Sequence, residues 1–353
     1  MGGSLVTRLL QVQAPKVLIA TVLLLLWQQN LSFSEEGRID FFELFSGDAQ
    51  ATQYWSEQGF RCCKMDVRYG ECMDFDHSGC FLLSLHTILN EVPDGANLLA
   101  PVCGSWSAVS RGSTWRTFVN PMGQQAFHAV SSGNRMVSRC VLLILVILAR
   151  NLVFYLEQPA QSLLPRHKRV EWLMNRVSYV HFVMFWMMHF DKNSPKRSLV
   201  LSNDASISIL DMGILTKAQR ESADQIETTR KYVDSQGYSR YQGNALLKST
   251  QSYTRSFAKR LLEAYRLGRS RQRYDLRARE KVDTTKSDRE LFEALPCGDI
   301  WYESQCHVAF EYLYSSKHLR IPPGWDETMQ SFRQTLLKEV KKIDADPEES
   351  VCI

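Results

Sequence analysis

Two patterns alternate along the chain. One is a short apolar run closed by Gly, Pro, Asn or Asp, the mark of a buried strand. The other is a longer segment whose apolar residues recur every three or four positions, the mark of a helix. The first run is IDFFEL (Ile39 to Leu44), broken by FSGD and followed by Ala51, Tyr54, Trp55 and Gln58 at helical spacing. FRCCKMDV then predicts a second strand ending at Asp66, and FLLSLHTILNEV, with apolar positions at 81, 82, 85, 88, 89 and 92, predicts a helix packed on a sheet. NLLAPVC predicts a strand stopped by Pro101, with Cys103 at the head of a Gly, Ser and Trp loop.

A long helical region is expected from Pro121 to Ala149, ending in CVLLILVILA and closed by Arg150. That apolar run is too short for a membrane span and predicts a buried helix end. LVFYL (Leu152 to Leu156) predicts another strand, ending at Glu157, Gln158 and Pro159. After a helix around 167–177, YVHFVMFWMMHF and RSLVLSN are separated by DKNSPK and predict a terminal β-hairpin. Residues 204–231 are polar and irregular apart from an apolar cluster at Ile207 to Leu215, and Tyr253, Phe257, Leu261 and Tyr265 form one helical stripe. Alternating strands and helices predict an α/β protein with a doubly wound, Rossmann-like sheet and a C-terminal helical appendage.

The amino terminus changes this picture. VLIATVLLLLW (Val17 to Trp27) lies between Arg8 and Lys16 on one side and Glu35 and Glu36 on the other, the pattern of a signal peptide or signal anchor. The uncharged span, residues 17–33, sits at the lower limit for crossing a bilayer. The other reading is a helix buried against the main domain. If the leader is real, the membrane or secretory pathway is implied; otherwise a nuclear or cytoplasmic location. The expected layout is a hydrophobic leader or anchor at 1–34, an α/β domain at 35–267, a basic linker at 268–290 and a helical tail at 291–353.

Composition is that of a globular chain: 353 residues, 44% hydrophobic, 23% charged, net charge +4. Disorder of the whole chain is excluded. Nine cysteines without paired spacing indicate neither a zinc site nor a disulfide framework, and no metal is expected. From Arg255 to Lys281 ten basic residues face three acids, a local charge of +7, which suits contact with phosphates or a solvated helix face.

Four features converge on one sheet edge: a glycine turn at Gly47 after the first strand, Asp66 after the second, Cys103 after the fourth and Glu157 after the fifth. Open α/β sheets do their chemistry at that edge. In this order ELFSG (Glu43 to Gly47), PVCGSWS (Pro101 to Ser107), EQP (Glu157 to Pro159) and GNALLKSTQSYTRSFAKRLLEAY (Gly243 to Tyr265) resemble motifs of the cytosine-5 DNA methyltransferases. The chain is also similar to a group of algal or protist proteins with comparable FFELFSGD, VCxSW and EQP stretches.

The resemblance implies a methyltransferase sheet that binds S-adenosylmethionine. Phe45 would stack on the adenine, Asp66 would hold the ribose, and Gly47, Asp74 and Asn244 would lie near the cofactor. It implies Cys103 as the nucleophile toward cytosine C6 and Glu157 as the acid at ring N3. Ser107, Arg111, Lys196 and Arg197 would contact nucleic acid, the last two standing where the family carries a Gln-x-Arg-x-Arg motif. Gln158 stands where the family has asparagine, and no large target-recognition domain fits between the hairpin and Gly243. The rival reading is a catalytically inactive binding or scaffold protein of the same fold, soluble or tethered through residues 17–33.

Overall fold

The computed structural model describes residues 2–28, 38–177, 179–191, 196–223, 229–237, 239–243, 250–270, 287, 290–292, 295, 301–315 and 326–345. Two helices open the chain, α1 (Gly2–Gln11) and α2 (Lys16–Gln28). The first half of the sheet follows as β1 (Ile39–Leu44), α3 (Gln50–Glu57), β2 (Cys62–Met65), α4 (Ser78–Leu89) and β3 (Glu91–Leu99). A short helix α5 (Arg111–Thr114) interrupts the loop before α6 (His128–Ala149), and then come β4 (Val153–Pro159), α7 (Lys168–Arg176) and the hairpin β5 (His181–Trp186) and β6 (Arg197–Ser202). The chain closes with α8 (Lys217–Ala223), a second hairpin of β7 (Thr229–Val233) and β8 (Ser239–Gly243), α9 (Arg255–Ser270), α10 (Cys306–Tyr314) and α11 (Asp326–Ala345).

Six strands form one mixed sheet in the order β2-β1-β3-β4-β6-β5. The first four run parallel and the β5–β6 hairpin closes the edge, β6 lying antiparallel to both β4 and β5. This is an α/β sheet compatible with a Rossmann-like fold. The order reverses at β1: β2 lies on one side of it and β3 on the other. The chain leaving the carboxyl end of β1 therefore runs to α3 on one face, and that leaving β3 to α6 on the other.

β4 is buried over six consecutive residues rather than at alternate ones, because helices cover both faces. Alternation survives as a choice of face. Phe42, Leu44, Leu99, Phe154 and Leu156 enter one core, together with α4, α6 and α7. Phe41, Leu98, Val153 and Tyr155 enter the other, under Phe257, Leu261 and Tyr265 of α9. There Phe41 stacks on Trp55 at 4.1 Å between ring centres.

Several boundaries differ from the sequence reading. Asn90 ends α4, so Glu91 and Val92 begin β3 instead of extending the helix. No further strand lies between β2 and β3, so Cys103 follows the third strand, not the fourth, and Glu157 lies within the fourth, not after a fifth. The long helix starts at His128 rather than Pro121, with Phe127 at its amino-terminal cap. Tyr253 precedes α9 instead of joining its stripe. The stretch expected to be irregular holds a 3-10 turn (Ala205–Leu210), α8 and the start of the second hairpin.

The hydrophobic leader and the tail meet. α2 is apolar all round, and Val17, Leu18, Ile19 and Ala20 are fully buried in the same core as Phe310, Phe332 and Leu336 of the tail helices. Lys16, at the start of α2, lies over the Phe292 and Phe332 rings at 5.2 and 5.8 Å. The buried-helix reading of this run is the arrangement in the structure. α6 is long and apolar enough to cross a membrane by length and composition, and most of it is packed inside the protein.

Candidate functional site

At the carboxyl rim of the parallel strands, β1, β3 and β4 each deliver one element. Glu157 lies two and four residues beyond Tyr155 and Val153, so its side chain emerges on the α9 face of the sheet. There Tyr253, just before α9, donates its hydroxyl to Glu157 Oε2 at 3.0 Å. Because β6 runs antiparallel, its amino-terminal end stands beside the carboxyl end of β4, which brings in Lys196: its Nζ is 3.6 Å from Glu157 Oε1. That oxygen is buried and accepts no hydrogen bond.

Cys103 is half-buried at the start of the loop after β3 and belongs to the same cluster. Burial pushes its thiol up; the Lys196 ammonium opposes this and the Glu157 carboxylate adds to it. The Tyr253 phenol is raised by burial and then by the Glu157, Glu43 and Cys103 charges, so it stays a proton donor. Cys103, Glu157 and Lys196, each expected at the site, are thus brought together. Tyr253 was expected only as a core residue.

Buried polar groups hold the Cys103 loop from below. Gln158, on the opposite face of β4 from Glu157, donates Nε2 to the Pro101 carbonyl at 2.6 Å and accepts from Ser162 Oγ at 3.0 Å. Gln158 therefore ties the strand of the acid to the loop of the thiol. Arg116, fully buried, donates to the Pro121 and Val130 carbonyls, Asn134 Oδ1 and Ser105 Oγ, and its guanidinium lies 3.4 Å from the Trp106 ring centre. Trp106 packs edge-on against His167, whose Nδ1 accepts the Arg169 N–H at the start of α7. Burial holds the His167 imidazole down at about 3, so it is neutral. Neither Arg116 nor His167 carries a periodicity signal, so neither could be assigned a role from sequence.

The glycine turn after β1 is built by left-handed residues. Phe45, Gly47 and Ala49 have φ of 63°, 53° and 52°. An aromatic residue in that region is strained, and the strain is held by Phe45 and Ser46 donating their N–H groups to the Met65 carbonyl. Phe45 is half-buried with its ring edge-on to Phe75 at 5.1 Å. Asp66 accepts from the Gly47 N–H through Oδ2 and from the Arg68 N–H through Oδ1, so each oxygen already holds a backbone amide of the turn. Asp74 accepts from the Asp76 N–H ahead of α4, next to Phe75.

Glu43 opens the ELFSG stretch. It is buried, accepts from the Thr52 N–H and hydroxyl through Oε2, and leaves Oε1 without a hydrogen bond. Burial pushes it up to about 7. Asn244 lies outside the described residues, as does most of the basic linker. Of the basic residues on α9, Arg255 is paired with Glu57 and Arg260 with Glu263. Ser107 accepts from the Val109 N–H at 3.3 Å, Arg111 is exposed near the Phe118 ring, and Arg197 lies over the Trp186 ring. Among the described residues no cluster of metal-ligating side chains occurs. No known family model matches the chain, and no curated protein matches it.

Proposed function

We propose that the protein is an S-adenosylmethionine-dependent methyltransferase that acts through Cys103 on a cytosine ring. The observation that carries the reading is the meeting of Cys103, Glu157, Lys196 and Tyr253 at one rim, with Glu157 Oε1 buried and short of a donor. An exocyclic amine or a protonated ring nitrogen supplies such a donor, and few small groups supply it beside an electrophilic carbon.

The turn after β1 fits the cofactor by its chemistry. The acceptors Glu43 Oε1, Asp66 and Asp74 face a ligand rich in donors, with an ammonium, ribose hydroxyls and an adenine amine. Phe45 and Phe75 offer ring surface. Glu43, Phe45, Gly47, Asp66 and Asp74 would hold the cofactor, with Asn244 the residue implied by the motif. When bound, it supplies an electrophilic methyl group.

The chain's own residues would do the rest. Cys103 loses its proton and its sulfur bonds to C6 of the ring, and the displaced electron pair moves toward C5 and N3. Glu157 holds a proton at N3, with Tyr253 fixing its other oxygen, and Lys196 favours the thiolate. Once C5 carries the methyl group, loss of the C5 proton and departure of the sulfur restore the ring and the thiol. At rest burial keeps Cys103 protonated, so ionisation is coupled to substrate entry.

An oligonucleotide containing 5-fluorocytosine, incubated with the protein and cofactor, should form a covalent adduct that Cys103→Ala cannot form. No adduct on single- or double-stranded substrate rules out transfer. The scaffold reading draws on Asp66, whose oxygens are both engaged by its own turn. It expects no heat on titrating S-adenosylmethionine into the full chain, whereas the enzyme reading expects binding that Asp66→Ala weakens.

A further inference from the structure

The loop that begins at Cys103 carries its largest side chains outward. Thr114 and Arg116 are buried, yet Trp115 between them is 62% exposed, at φ +57°. The four hydrogen bonds of Arg116 pull its own residue inward. Gly123, at φ +64°, brings the returning chain so close that a Cβ there would lie 2.6 Å from the Thr114 carbonyl oxygen. Trp115 is held in solvent by its neighbours. The next turn, in which the Thr117 N–H donates to the Asn120 carbonyl, presents Phe118 at 64% and Val119 at 95% exposure. A rigidly supported aromatic tip in water is a contact surface, since it contributes nothing to the core.

Two guanidiniums stand beside the tip. No Asp or Glu occurs between Asp94 and Glu157. The Arg111 and Arg166 guanidiniums lie 5.8 and 5.7 Å from the Phe118 ring centre, Arg166 also pairing with Glu171. On the hairpin side of Glu157, Arg197 lies over Trp186 at 5.5 Å, and its carbonyl accepts from the Ala160 N–H. Cations beside aromatic faces, flanking a half-buried thiol, suit a polyanion whose bases are free to stack.

We propose that this rim takes single-stranded nucleic acid, with bases stacked on Trp115 and Phe118 and phosphates paired with Arg111, Arg166 and Arg197. The inference rests on the reading of the Cys103 site as one that receives a nucleobase, and it adds the strandedness. In a duplex the base faces cover one another, so exposed aromatics gain little from them, whereas every unpaired base offers a face. Bringing a base to a buried thiol also costs least when it is unpaired. Among the described residues, 203–254 hold only a 3-10 turn, α8 and the β7–β8 hairpin as regular structure.

The test measures fluorescence anisotropy of labelled DNA and RNA oligonucleotides of about 20 nucleotides, single-stranded and as duplexes of the same sequence, with the full chain. At least one single strand should bind about tenfold more tightly than its duplex. W115A and F118A should each weaken single-strand binding about tenfold without changing the melting temperature. Log affinity should fall with log salt at a slope of about −2, as expected for three phosphate contacts. Tighter or equal duplex binding, no binding of any oligonucleotide, or affinities of both variants within twofold of wild type overturns the proposal. Cys103→Ala separates it from the transfer reading. Single-strand binding retained in that variant, with no adduct formed by wild type, ends the transfer reading and supports the interface. An adduct formed equally well by wild type and W115A ends the interface alone.

Discussion

The two faces of the sheet bury their surface differently. On the α4 and α6 face the leader, the long helix and the tail interlock, and buried guanidiniums join them: Arg139 donates to the Ser304 and Phe75 carbonyls, and Arg169 pairs with Glu303 at 2.5 Å. On the α9 face an aromatic stack ends at the rim with two buried carboxylate oxygens that accept no hydrogen bond, Glu43 Oε1 and Glu157 Oε1, the second with the Lys196 ammonium 3.6 Å away. An uncompensated buried acceptor costs roughly 1–3 kcal/mol. The first face is closed by helices from both ends of the chain, and the second ends at the edge where Glu157 and the Cys103 loop stand.

The largest test strikes the closed face. Leu18 is fully buried in the core that α2 shares with the tail helices, and Leu18→Asp should cost about 5 kcal/mol or more, enough to unfold the chain in equilibrium denaturation. A folded, soluble L18D protein would mean that α2 leaves the core.

The next test uses the opposite pH responses of His167 and Glu43. His167 titrates near 3 when folded and near 6.5 when unfolded, so the unfolded chain binds more protons between those values. Its stabilising effect is complete above pH 6.5 and is lost on acidification, and Glu303, held at about 2 mainly by Arg169 against its burial, adds the same sign below 4.5. Glu43 does the reverse. Raised from 4.5 to about 7, it stabilises most below pH 4.5 and loses that contribution as pH rises to 7. Each slope is at most about 1.4 kcal/mol per pH unit, so between 4.5 and 6.5 the two oppose. Glu91, raised by its burial, adds to the sign of Glu43, so His167→Gln should steepen the fall of stability with pH across that window and Glu43→Gln should lessen it. Unchanged slopes in urea titrations of both variants would remove the contrast.

Smaller effects belong to the rim. Tyr253→Phe strips the donor from Glu157 Oε2 and should cost about 1–2 kcal/mol while abolishing adduct formation. Cys103→Ala should change stability by less than about 1 kcal/mol, since the thiol is half-buried, and remove the adduct entirely. A larger loss of stability would make Cys103 a packing residue.

Much of the sheet was legible. IDFFEL, NLLAPVC and LVFYL are strands because continuous apolar runs fit a sheet covered on both faces, and DKNSPK separates the edge hairpin where expected. Cys103, Glu157 and Lys196 could be named as site residues, because strand ends and motif order reveal what reaches a rim. Tyr253 could not: its stripe is the same for Phe as for Tyr, and only the turn of chain before α9 aims its hydroxyl at Glu157. Arg116 and His167 likewise lie in segments whose local pattern says nothing of burial.

The sequence by itself determined the α/β alternation, the hairpin at the edge and the residues delivered to the carboxyl ends, since these follow from local periodicity and chain direction. Tertiary structure alone decided that α2 packs with the tail helices, that Gln158 and Arg116 hold the thiol loop, and that Trp115 faces water. Those outcomes depend on contacts between segments far apart in the chain, and a run of apolar residues reads the same whether lipid or protein covers it.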